Sequence, residues 1–305
     1  MLAYDIRDVM KYFPGKAEPV NDHITLQIDQ GEVFGILGDN GAGKTTLIRQ
    51  MVNLLRCNSG SIELLGEDIA RNPLLVPMNV GYMPQDSLAL NNLTVGEALF
   101  FTAHLRGMKR KEAQKERERI LDLWQIQQLR DKYSSRLSGG QRRLLRLAVA
   151  TAGNLPILIL DEPTNDLDPK RRKLVWNVLR DLNREYGTTI IFITHDAVEA
   201  EKVVQRVAIL RDGRVVALGK PAELKRAVDR KLRLEIFCAA DSLSDLPSHL
   251  EAHQVQQGRW LILLDWDDVT PALNCLQGEQ QRLDDIHLSS ATLEDVYLHY
   301  ATQRA

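Results

Sequence analysis

The 305-residue sequence contains few cysteines, and they lie far apart. There are three of them, Cys57, Cys238 and Cys275, so at least one stays unpaired. So few cysteines, so widely separated, argue against a disulfide framework and against a cysteine-based zinc site. The scarcity of cysteine is typical of a protein that works in a reducing compartment.

Long apolar runs are also missing. No run approaches the roughly 18 to 20 residues that a membrane-spanning helix needs. The strongest apolar run, residues 155–160, has the length of a buried strand. Asp5 and Asp8 fall where a signal peptide would need an unbroken apolar core. We therefore expect a cytoplasmic protein that reaches a membrane only through a partner.

The sequence has no excess of charge of one sign. It contains 39 Lys and Arg against 41 Asp and Glu, a formal net charge of −2. This balance excludes a protein that holds nucleic acid by bulk positive charge. Hydrophobic residues make up 44% of the chain and charged residues 26%, as in an ordinary globular protein. The length is enough for about two domains.

An α/β pattern runs through the first two thirds of the chain, where short apolar strands alternate with amphipathic helices. Val33–Leu37 is predicted to be a strand, and a helix should follow from about Lys44. Two further buried strands are predicted at 157–160 and 189–194, apolar because both faces of a parallel sheet are covered. The residues expected on the buried face of the helix after Lys44 are Leu47, Ile48, Met51 and Leu54.

Two other stretches depart from this pattern. Residues from about 94 to 152 are helical in pattern and are predicted to form a helical insertion. A change near residue 221 predicts a second domain, so we expect domains at 1–220 and 221–305. The order of elements in the second domain, strand, helix, two strands, helix, strand and a final helix, is the ferredoxin-like arrangement. Its predicted strands are 232–237, 253–255, 260–264 and 282–288, and its predicted helices are 242–250, 267–276 and a last one from 292. Trp260 and Trp266 are expected to be core aromatics of this domain.

A glycine-rich motif, G-x-x-x-x-G-K-[ST], lies between the first predicted core strand and the helix that follows it. Glycines let the backbone pass close to phosphate, and the N–H groups at the helix start attract negative charge. Lys44 should reach the β- and γ-phosphates of a nucleotide, and the Thr45 hydroxyl should bind Mg²⁺. The residues expected to hold the nucleotide are Gly38, Asp39, Asn40, Gly41, Ala42, Gly43, Lys44, Thr45 and Thr46.

Two carboxylates follow the apolar strand predicted at 157–160. Asp161 is placed to hold Mg²⁺ or its waters. Glu162 adds a second carboxylate, suited to orient and polarise an attacking water. One acidic residue at a strand end is usually a solvated cap, but two of them in the same domain as a phosphate-binding loop favour catalysis.

A second glycine pair opens another predicted helix, in the run Leu137-Ser138-Gly139-Gly140-Gln141. Ser138 is a good N-cap, and the glycines expose backbone N–H groups at the positive end of the helix. This makes a second anion site, separate from the first. In a two-fold dimer, the phosphate loop of each copy would be covered by the second site of the other copy. The residues expected to act there are Ser138, Gly139, Gly140 and Gln141.

These three motifs, in this order, resemble the ATP-binding-cassette (ABC) ATPases over residues 2–224. The third motif is the run Asp161-Glu162-Pro163-Thr164. The resemblance implies the fold of that family, a RecA-like P-loop core with a helical subdomain at about 94–152. It also implies ATP and Mg²⁺ as ligands and a second copy of the chain as a partner across the bound ATP.

The resemblance assigns further residues to the site. Gln85 matches the glutamine that senses Mg²⁺ and water, and His195 matches the switch histidine near the γ-phosphate. Phe13 is similar to the aromatic that stacks on adenine, with Tyr12 as the alternative. The expected catalytic residues are therefore Glu162, His195, Gln85 and Lys44, and the expected metal ligands are Thr45, Gln85 and Asp161.

Two functions are compatible with these motifs. The first is the ATPase subunit of a transporter, peripheral on the inner face of the cell membrane. The C-terminal region, with its ending 293–298, resembles exporter subunits of the drug-resistance type that pair with a separate ABC-2-type membrane protein. The partner should dock in a groove beside the Gln85 loop, near Leu88, Leu90 and Phe100.

The second function is a soluble ABC ATPase that acts on ribosomes or nucleic acid. Asp166 departs from the small residue often seen at this position in transporters, and the run 165–168 that contains it resembles translation-factor members. Those members carry two cassettes and a charged linker, whereas this chain has one glycine-rich phosphate motif and no basic tail. The sequence therefore favours transport, and no nucleic-acid partner is expected.

Overall fold

The computed structural model of the chain describes residues 1–15, 17–85, 90–229, 231–238, 252–256, 258–277 and 283–302. It divides into two compact units, Met1–Gly219 and Lys220–Ala305. The β strands are β1 Leu2–Lys11, β2 Asn21–Asp29, β3 Val33–Leu37, β4 Ser59–Leu64, β5 Glu67–Asp68, β6 Val80–Met83, β7 Ile157–Asp161, β8 Thr189–Thr194, β9 Arg206–Arg211, β10 Arg214–Gly219, β11 Leu232–Cys238, β12 Ala252–Gln256, β13 Arg259–Leu264 and β14 Leu283–Ser290. The α helices are α1 Lys44–Met51, α2 Leu75–Asn79, α3 Val95–Leu105, α4 Arg110–Leu123, α5 Gly139–Thr151, α6 Pro169–Tyr186, α7 Ala197–Glu201, α8 Pro221–Val228, α9 Val269–Gln277 and α10 Leu293–Thr302. Among the described helices, none combines the length and the apolar character that crossing a membrane requires.

The first unit contains a six-stranded sheet in the order β10-β9-β3-β8-β7-β6. Its strands from β9 to β6 run parallel to one another, and β10 is antiparallel to β9. Every residue of β7 and β8 is buried, as expected for strands at the centre of a covered parallel sheet. The predicted α/β fold with a parallel core sheet is confirmed.

A second sheet in the first unit, in the order β2-β1-β4-β5, is antiparallel. Its apolar side chains share one core with α1 and with the central strands of the parallel sheet. The phenol of Tyr4 is fully buried there and donates a hydrogen bond to the backbone oxygen of Met51 at 3.2 Å. This core includes Tyr4, Ile6, Ile24, Leu26, Phe34, Leu47, Ile48, Ile159 and Ile191.

Helix α1 is shorter than its apolar pattern predicts. It ends at Met51, and Asn53 already has a positive φ of 57°. Leu54 follows that turn and is 69% exposed, so the prediction that it lies on the buried face of the helix is wrong. The Asn53 side chain donates to the backbone oxygen of Ile69 at 2.9 Å and fixes the turn away from the helix axis.

Three helices, α3, α4 and α5, occupy the stretch in which a helical insertion is predicted. Two of them begin with a capping box: Thr94 with Glu97 at α3, and Ser138 with Gln141 at α5. Such a pair of reciprocal hydrogen bonds satisfies N–H groups that a helix start leaves without partners. Each of these two boxes therefore fixes where its helix starts.

The second unit contains a four-stranded antiparallel sheet in the order β12-β13-β11-β14. Alternate residues of β11 are buried, as a half-buried strand requires, and they share a core with residues of β13 and α9. This strand order and pairing agree with the predicted ferredoxin-like arrangement. The helix predicted at 242–250 lies outside the described residues. The buried side chains of this sheet are Leu232, Leu234, Ile236, Cys238, Ile262 and Leu264.

The helix predicted at 267–276 begins two residues later than expected. Residues Trp266–Asp268 form a 3₁₀ turn, and α9 starts at Val269. Trp266 is 74% exposed, so the prediction that it is a core aromatic is wrong.

A side chain just after α3 donates hydrogen bonds to the end of α5. Arg106, just after α3, donates from Nη1 to the backbone oxygens of Val149 and Ala150, both at 3.1 Å, and also to that of Ala152. Burial lowers the pKa of this guanidinium to about 10, still well above neutral pH. Carbonyl groups at a helix end have no partner within the helix, so Arg106 completes α5.

We expect Arg106→Met to destabilise the first unit. Methionine has a similar length, but it leaves these carbonyl oxygens without a donor, which lowers the free energy of unfolding by about 2–3 kcal/mol. Urea denaturation of the full chain, followed by far-UV circular dichroism, measures the change. The matched control is Arg110→Met at the exposed start of α4, with an expected change within about 0.5 kcal/mol. Equal effects of the two variants would contradict the role of Arg106.

Candidate active site

Three loops meet at one edge of the parallel sheet. Strand β3 pairs with β8, and β8 pairs with β7, all in the same direction. Their carboxyl ends therefore lie side by side, and the loops that follow them are neighbours. These loops carry Gly38 after β3, Glu162 after β7 and His195 after β8, which are three of the predicted site residues.

The loop from Gly38 to Gly43 can form only with glycine at both ends. Gly43 has φ +100°, and a Cβ there would lie 2.5 Å from the backbone oxygen of Val20. A Cβ at Gly38 would collide with the backbone oxygen of Leu210. Gly43 is also the N-cap of α1 and brings no capping side chain. The N–H groups at the start of α1 are thus left for an anion.

Lys44 lies inside this loop rather than in solvent. It is 7% exposed, and its Nζ donates to the backbone oxygens of Gly38 at 2.6 Å and Asp39 at 2.8 Å. Burial lowers the pKa of Lys44, while the carboxylates of Glu162 and Asp161 act in the opposite direction. The ammonium group is therefore fixed at the loop with few water molecules around it, which strengthens its attraction for phosphate.

Asp161, at the end of β7, carries a buried carboxylate oxygen without a donor. Its Oδ2 has no hydrogen-bond partner among the described residues. Burial raises the pKa of Asp161 to about 6, and the negative charge of Glu162 acts in the same direction. Lys44, a hydrogen bond with the Thr45 side chain and Arg143 lower it. A bound cation would supply the partner that this oxygen lacks.

Glu162 is held from both its backbone and its side chain. Its φ is +51°, uncommon for a residue other than glycine. Its N–H donates to the backbone oxygen of Ile193 at 2.9 Å, and its own backbone oxygen accepts from Arg143 Nη1 at 3.1 Å. Backbone strain of this kind is maintained where the surrounding structure fixes it, often at functional sites.

The carboxylate of Glu162 contacts three further side chains. Oε1 lies 2.9 Å from Nδ1 of His195. Oε2 accepts from Nε2 of Gln85 at 3.4 Å and also from Nδ2 of Asn165. The side chain of His195 is 52% exposed, whereas that of Glu162 is 9% exposed. Two amides and an imidazole thus orient the carboxylate, and none of these three contacts is with Lys or Arg. Such a carboxylate can act as a base toward a bound water.

Lys44, Asp161, Glu162 and Gln85 line a cavity of about 330 Å³. His195 is not among its lining residues and contacts the site through Glu162. Phe13 and Val20 lie on the cavity wall together with the loop after β3 and the two carboxylates. Lys11 Nζ lies 5.6 Å from the centroid of the Phe13 ring. Tyr12, the alternative aromatic, is 40% exposed and is not part of the wall. The predicted site residues on the wall are Phe13, Asn40, Gly41, Gly43, Lys44, Thr45, Thr46, Gln85, Asp161 and Glu162.

Other predicted site residues lie around this wall. Gly38 and Asp39 contribute the oxygens that Lys44 contacts. Ala42 is buried, and its backbone oxygen accepts from the N–H of Gly213 at 3.2 Å. These three residues shape the loop and are not in the cavity wall.

The predicted second anion site, residues 138–141, is not part of this cavity. Ser138 caps α5: its Oγ accepts from the N–H of Gln141 at 3.4 Å. Nothing lies within 4 Å of the position of a Cβ on Gly139, whereas a Cβ on Gly140 would lie 2.8 Å from Arg171 Nη1. Residues 138–141 are thus absent from the cavity wall to which the phosphate loop of the same chain contributes.

Sequence reasoning missed three residues of the site. Asn165 donates to Glu162, Arg143 donates to the Glu162 backbone, and Val20 lines the cavity. The sequence does contain a feature that could have identified Asn165: it is an amide three residues after the catalytic candidate Glu162, in the same loop. Arg143 and Val20 have no such feature, because only the fold brings them to the site.

Comparison with known proteins agrees with this arrangement. The family model described as ABC transporter matches residues 21–165. The methionine import ATP-binding protein MetN of Halalkalibacterium halodurans is 32% identical over 264 residues, which cover 85% of this chain and 78% of MetN. The retinal-specific phospholipid-transporting ATPase ABCA4 of Homo sapiens is 34% identical over 231 residues, 76% of this chain. The chain spans about a tenth of the length of ABCA4.

Solved structures are similar in fold. One is an ATP-binding cassette solved as a dimer in a post-hydrolysis state with ADP and Pi bound. It has 25% identity and a TM-score of 0.67, and the match covers 71% of this chain and 98% of that chain. Another is cbiO1 of Clostridium perfringens, part of the ABC transporter complex cbiONQ, with 28% identity and a TM-score of 0.66 over 73% of this chain and 90% of that chain. The chain belongs to the ABC transporter family, as an ATP-binding cassette.

Proposed function

We propose that this chain binds ATP in the cavity of about 330 Å³ and uses its hydrolysis to drive a separate membrane protein. The observation that carries the proposal is the position of Glu162. Its buried carboxylate contacts His195 and Gln85 and lies on the same cavity wall as Lys44 and Asp161. A base, a cation for phosphate and a metal-binding carboxylate are the groups that phosphoryl transfer to water requires.

The donor atoms of the site fit Mg²⁺. The buried Oδ2 of Asp161 has no hydrogen-bond partner among the described residues. The Thr45 side chain makes a hydrogen bond with the carboxylate of the same residue. A hydroxyl, a carboxylate and an amide oxygen are the hard ligands that Mg²⁺ prefers beside phosphate. Thr45, Asp161 and Gln85 would hold the ion. When bound, Mg²⁺ neutralises charge on the β- and γ-phosphates.

The residues of the chain would then act as follows. The N–H groups of the loop and of the start of α1 bind the phosphates. Lys44 exchanges its contacts with backbone oxygens for contacts with the β- and γ-phosphates. Glu162 accepts a proton from the water that attacks the γ-phosphorus, while the bond to the leaving oxygen of ADP breaks. His195 and Gln85 hold the carboxylate in the orientation for this transfer.

Phe13 is proposed to stack on adenine. Its ring lies on the wall of the cavity that contains Lys44, and Tyr12 does not. An aromatic face gives a nucleobase a large contact area at little loss of conformational entropy. Lys11 over the same ring adds a positive charge beside the base.

A second copy of the chain is proposed to complete the site. Residues 138–141 present a capped helix start that does not reach the phosphate loop of its own chain. An exposed helix start with an open Gly139 is suited to bind the γ-phosphate held by another copy. The cassette named above was solved as a dimer. Two ATP molecules would then be enclosed between two head-to-tail copies.

The membrane partner is proposed to dock beside the Gln85 loop. Large apolar side chains are exposed on the helices before and after this loop: Leu74 at 70% and Met78 at 54% by α2, and Phe101 at 44% and Leu105 at 84% by α3. Leu90 and Phe100, predicted to line the groove, are half-buried, and Leu88 lies outside the described residues. Four exposed, large apolar side chains beside one loop are typical of a surface that binds another protein. Through it the chain would lie on the inner face of the cell membrane.

We assign the partner to the ABC-2 type and the transport direction to export. Both rest on the C-terminal unit and its ending 293–298, which resemble the drug-resistance-type exporter subunits. MetN is named for import and ABCA4 for phospholipid transport, so both names favour transport over an action on ribosomes. Transport into inside-out vesicles that contain the chain and its permease measures the direction.

Glu162→Gln is expected to stop hydrolysis without loss of ATP binding. Glutamine keeps the shape of the side chain but cannot accept the proton, so kcat should fall about 100-fold or more, with the Kd for ATP changed less than about threefold. ATPase assays and fluorescent-ATP titration measure the two quantities. With Mg²⁺-ATP, the variant should elute as a dimer in size-exclusion chromatography.

The matched control for this variant is Glu185→Gln on the exposed end of α6. It makes the same chemical change away from the site, and wild-type turnover is expected. If Glu162→Gln keeps the kcat of the wild type, Glu162 is not the base.

Lys44→Ala is expected to weaken ATP binding itself. The variant removes the buried cation from the phosphate loop, so the Kd for ATP should rise about tenfold or more, a loss of about 1.4 kcal/mol or more. Isothermal titration measures it, with Lys115→Ala on the exposed face of α4 as the control. An unchanged Kd in Lys44→Ala would show that this loop does not bind the phosphates.

A further inference from the structure

One carboxylate outside the cavity joins two of the loops that form the site. Glu199 lies in α7, four residues after His195. Its Oε2 accepts a hydrogen bond from the hydroxyl of Thr164 at 2.6 Å, and its Oε1 accepts one from the indole Nε1 of Trp176 at 2.6 Å. Both oxygens are thus engaged by groups on other elements of the chain.

The two donors belong to parts of the chain that set the position of Glu162. Thr164 is 3% exposed and follows Glu162 by two residues in the same loop. It precedes Asn165, which donates to the carboxylate of Glu162. Trp176 lies on α6, and its ring packs on Phe192 of β8 with centroids 5.1 Å apart. Glu199 therefore connects the Glu162 loop with the strand that leads to His195.

The segment that carries His195 has little support of its own. Helix α7 has five residues, too few for a helix to be stable without tertiary contacts. Its start is capped by Asp196, whose Oδ1 accepts from the N–H of Glu199 at 2.8 Å, and the N–H of Asp196 donates to Thr194 Oγ1 at 3.0 Å. The side chain of Glu199 then holds this turn against the Glu162 loop.

We propose that Glu199 is a positioning residue for ATP hydrolysis, one that fixes the His195 segment against the Glu162 loop through Thr164 and Trp176. The inference rests on the proposed roles of Glu162 and His195. A 2.9 Å contact between Glu162 and His195 depends on two separate loops, so a shift of either loop breaks it. Misplacement of a catalytic group by about 1 Å can lower a rate about 100-fold.

Hydrogen bonding, and not the charge of Glu199, accounts for this role. Both donors, a hydroxyl and an indole, are neutral. A glutamine at 199 can accept from Trp176 with its amide oxygen and donate to Thr164 with its amide nitrogen, because a hydroxyl both donates and accepts. Glutamine should therefore replace the carboxylate, whereas methionine of similar length can make neither bond.

The test compares Glu199→Met, Glu199→Gln and Thr164→Val in the full chain. Steady-state ATPase assays give kcat and KM, and titration with a fluorescent ATP analogue gives the number of nucleotides bound per chain. In Glu199→Met and Thr164→Val, kcat per bound nucleotide should fall about tenfold or more, with KM unchanged within about twofold. Glu199→Gln should stay within about threefold of the wild type.

A double variant and a surface control complete the test. Because both changes break the same hydrogen bond, Glu199→Met with Thr164→Val should be no slower than the slower single variant. Glu185→Met on the exposed end of α6 should have wild-type kinetics. If Glu199→Met does not fold, Thr164→Val tests the same hydrogen bond, since valine has the shape of threonine.

Three results would overturn the inference. One is a wild-type kcat in Glu199→Met or Thr164→Val. Another is fewer bound nucleotides per chain with an unchanged rate for each, which indicates only a structural role. The third is a loss in Glu199→Gln as large as that in Glu199→Met. Failure of the proposed function is a different observation, namely full activity in Glu162→Gln.

Discussion

The parallel pairing of β3, β8 and β7 is the constraint on which the rest of the site depends. Hydrogen bonds between these strands fix Leu37 beside Thr194, and Asp161 beside Ile193. Three loops that are far apart in the sequence therefore begin next to one another, at the same edge of the sheet. The sheet brings the loops that carry Lys44, Glu162 and His195 near one another, and contacts between these loops then set the final geometry.

Much of this arrangement follows from local sequence. Apolar runs predict β7 and β8, and the glycines around Lys44 predict a loop that an anion can approach. Asp161 and Glu162 are recognised because they follow such a run directly. These predictions agree with the structure since each depends on neighbours within a few residues, where spacing and residue type determine conformation.

The parts that sequence did not predict depend on distant contacts. Arg143 reaches the Glu162 backbone across 19 residues, and Thr164 reaches Glu199 across 35. No spacing rule signals such pairs. The predictions for Leu54 and Trp266 are wrong for a related reason, because turns change the direction in which the side chains point. A turn intervenes before Leu54, and Trp266 begins a 3₁₀ turn.

Helix α5 connects two regions with different proposed roles: its start is proposed to contact ATP, and its middle contacts the loop beside the proposed docking site of the membrane partner. Its start bears Ser138, and Arg146, two turns further along, donates from Nη1 to the backbone oxygen of Gln85 at 2.6 Å. A rotation of this helix that moved Ser138 would also move the Arg146 donor that contacts the Gln85 loop. A change at the start of the helix would thereby reach the loop beside which the membrane partner is proposed to dock.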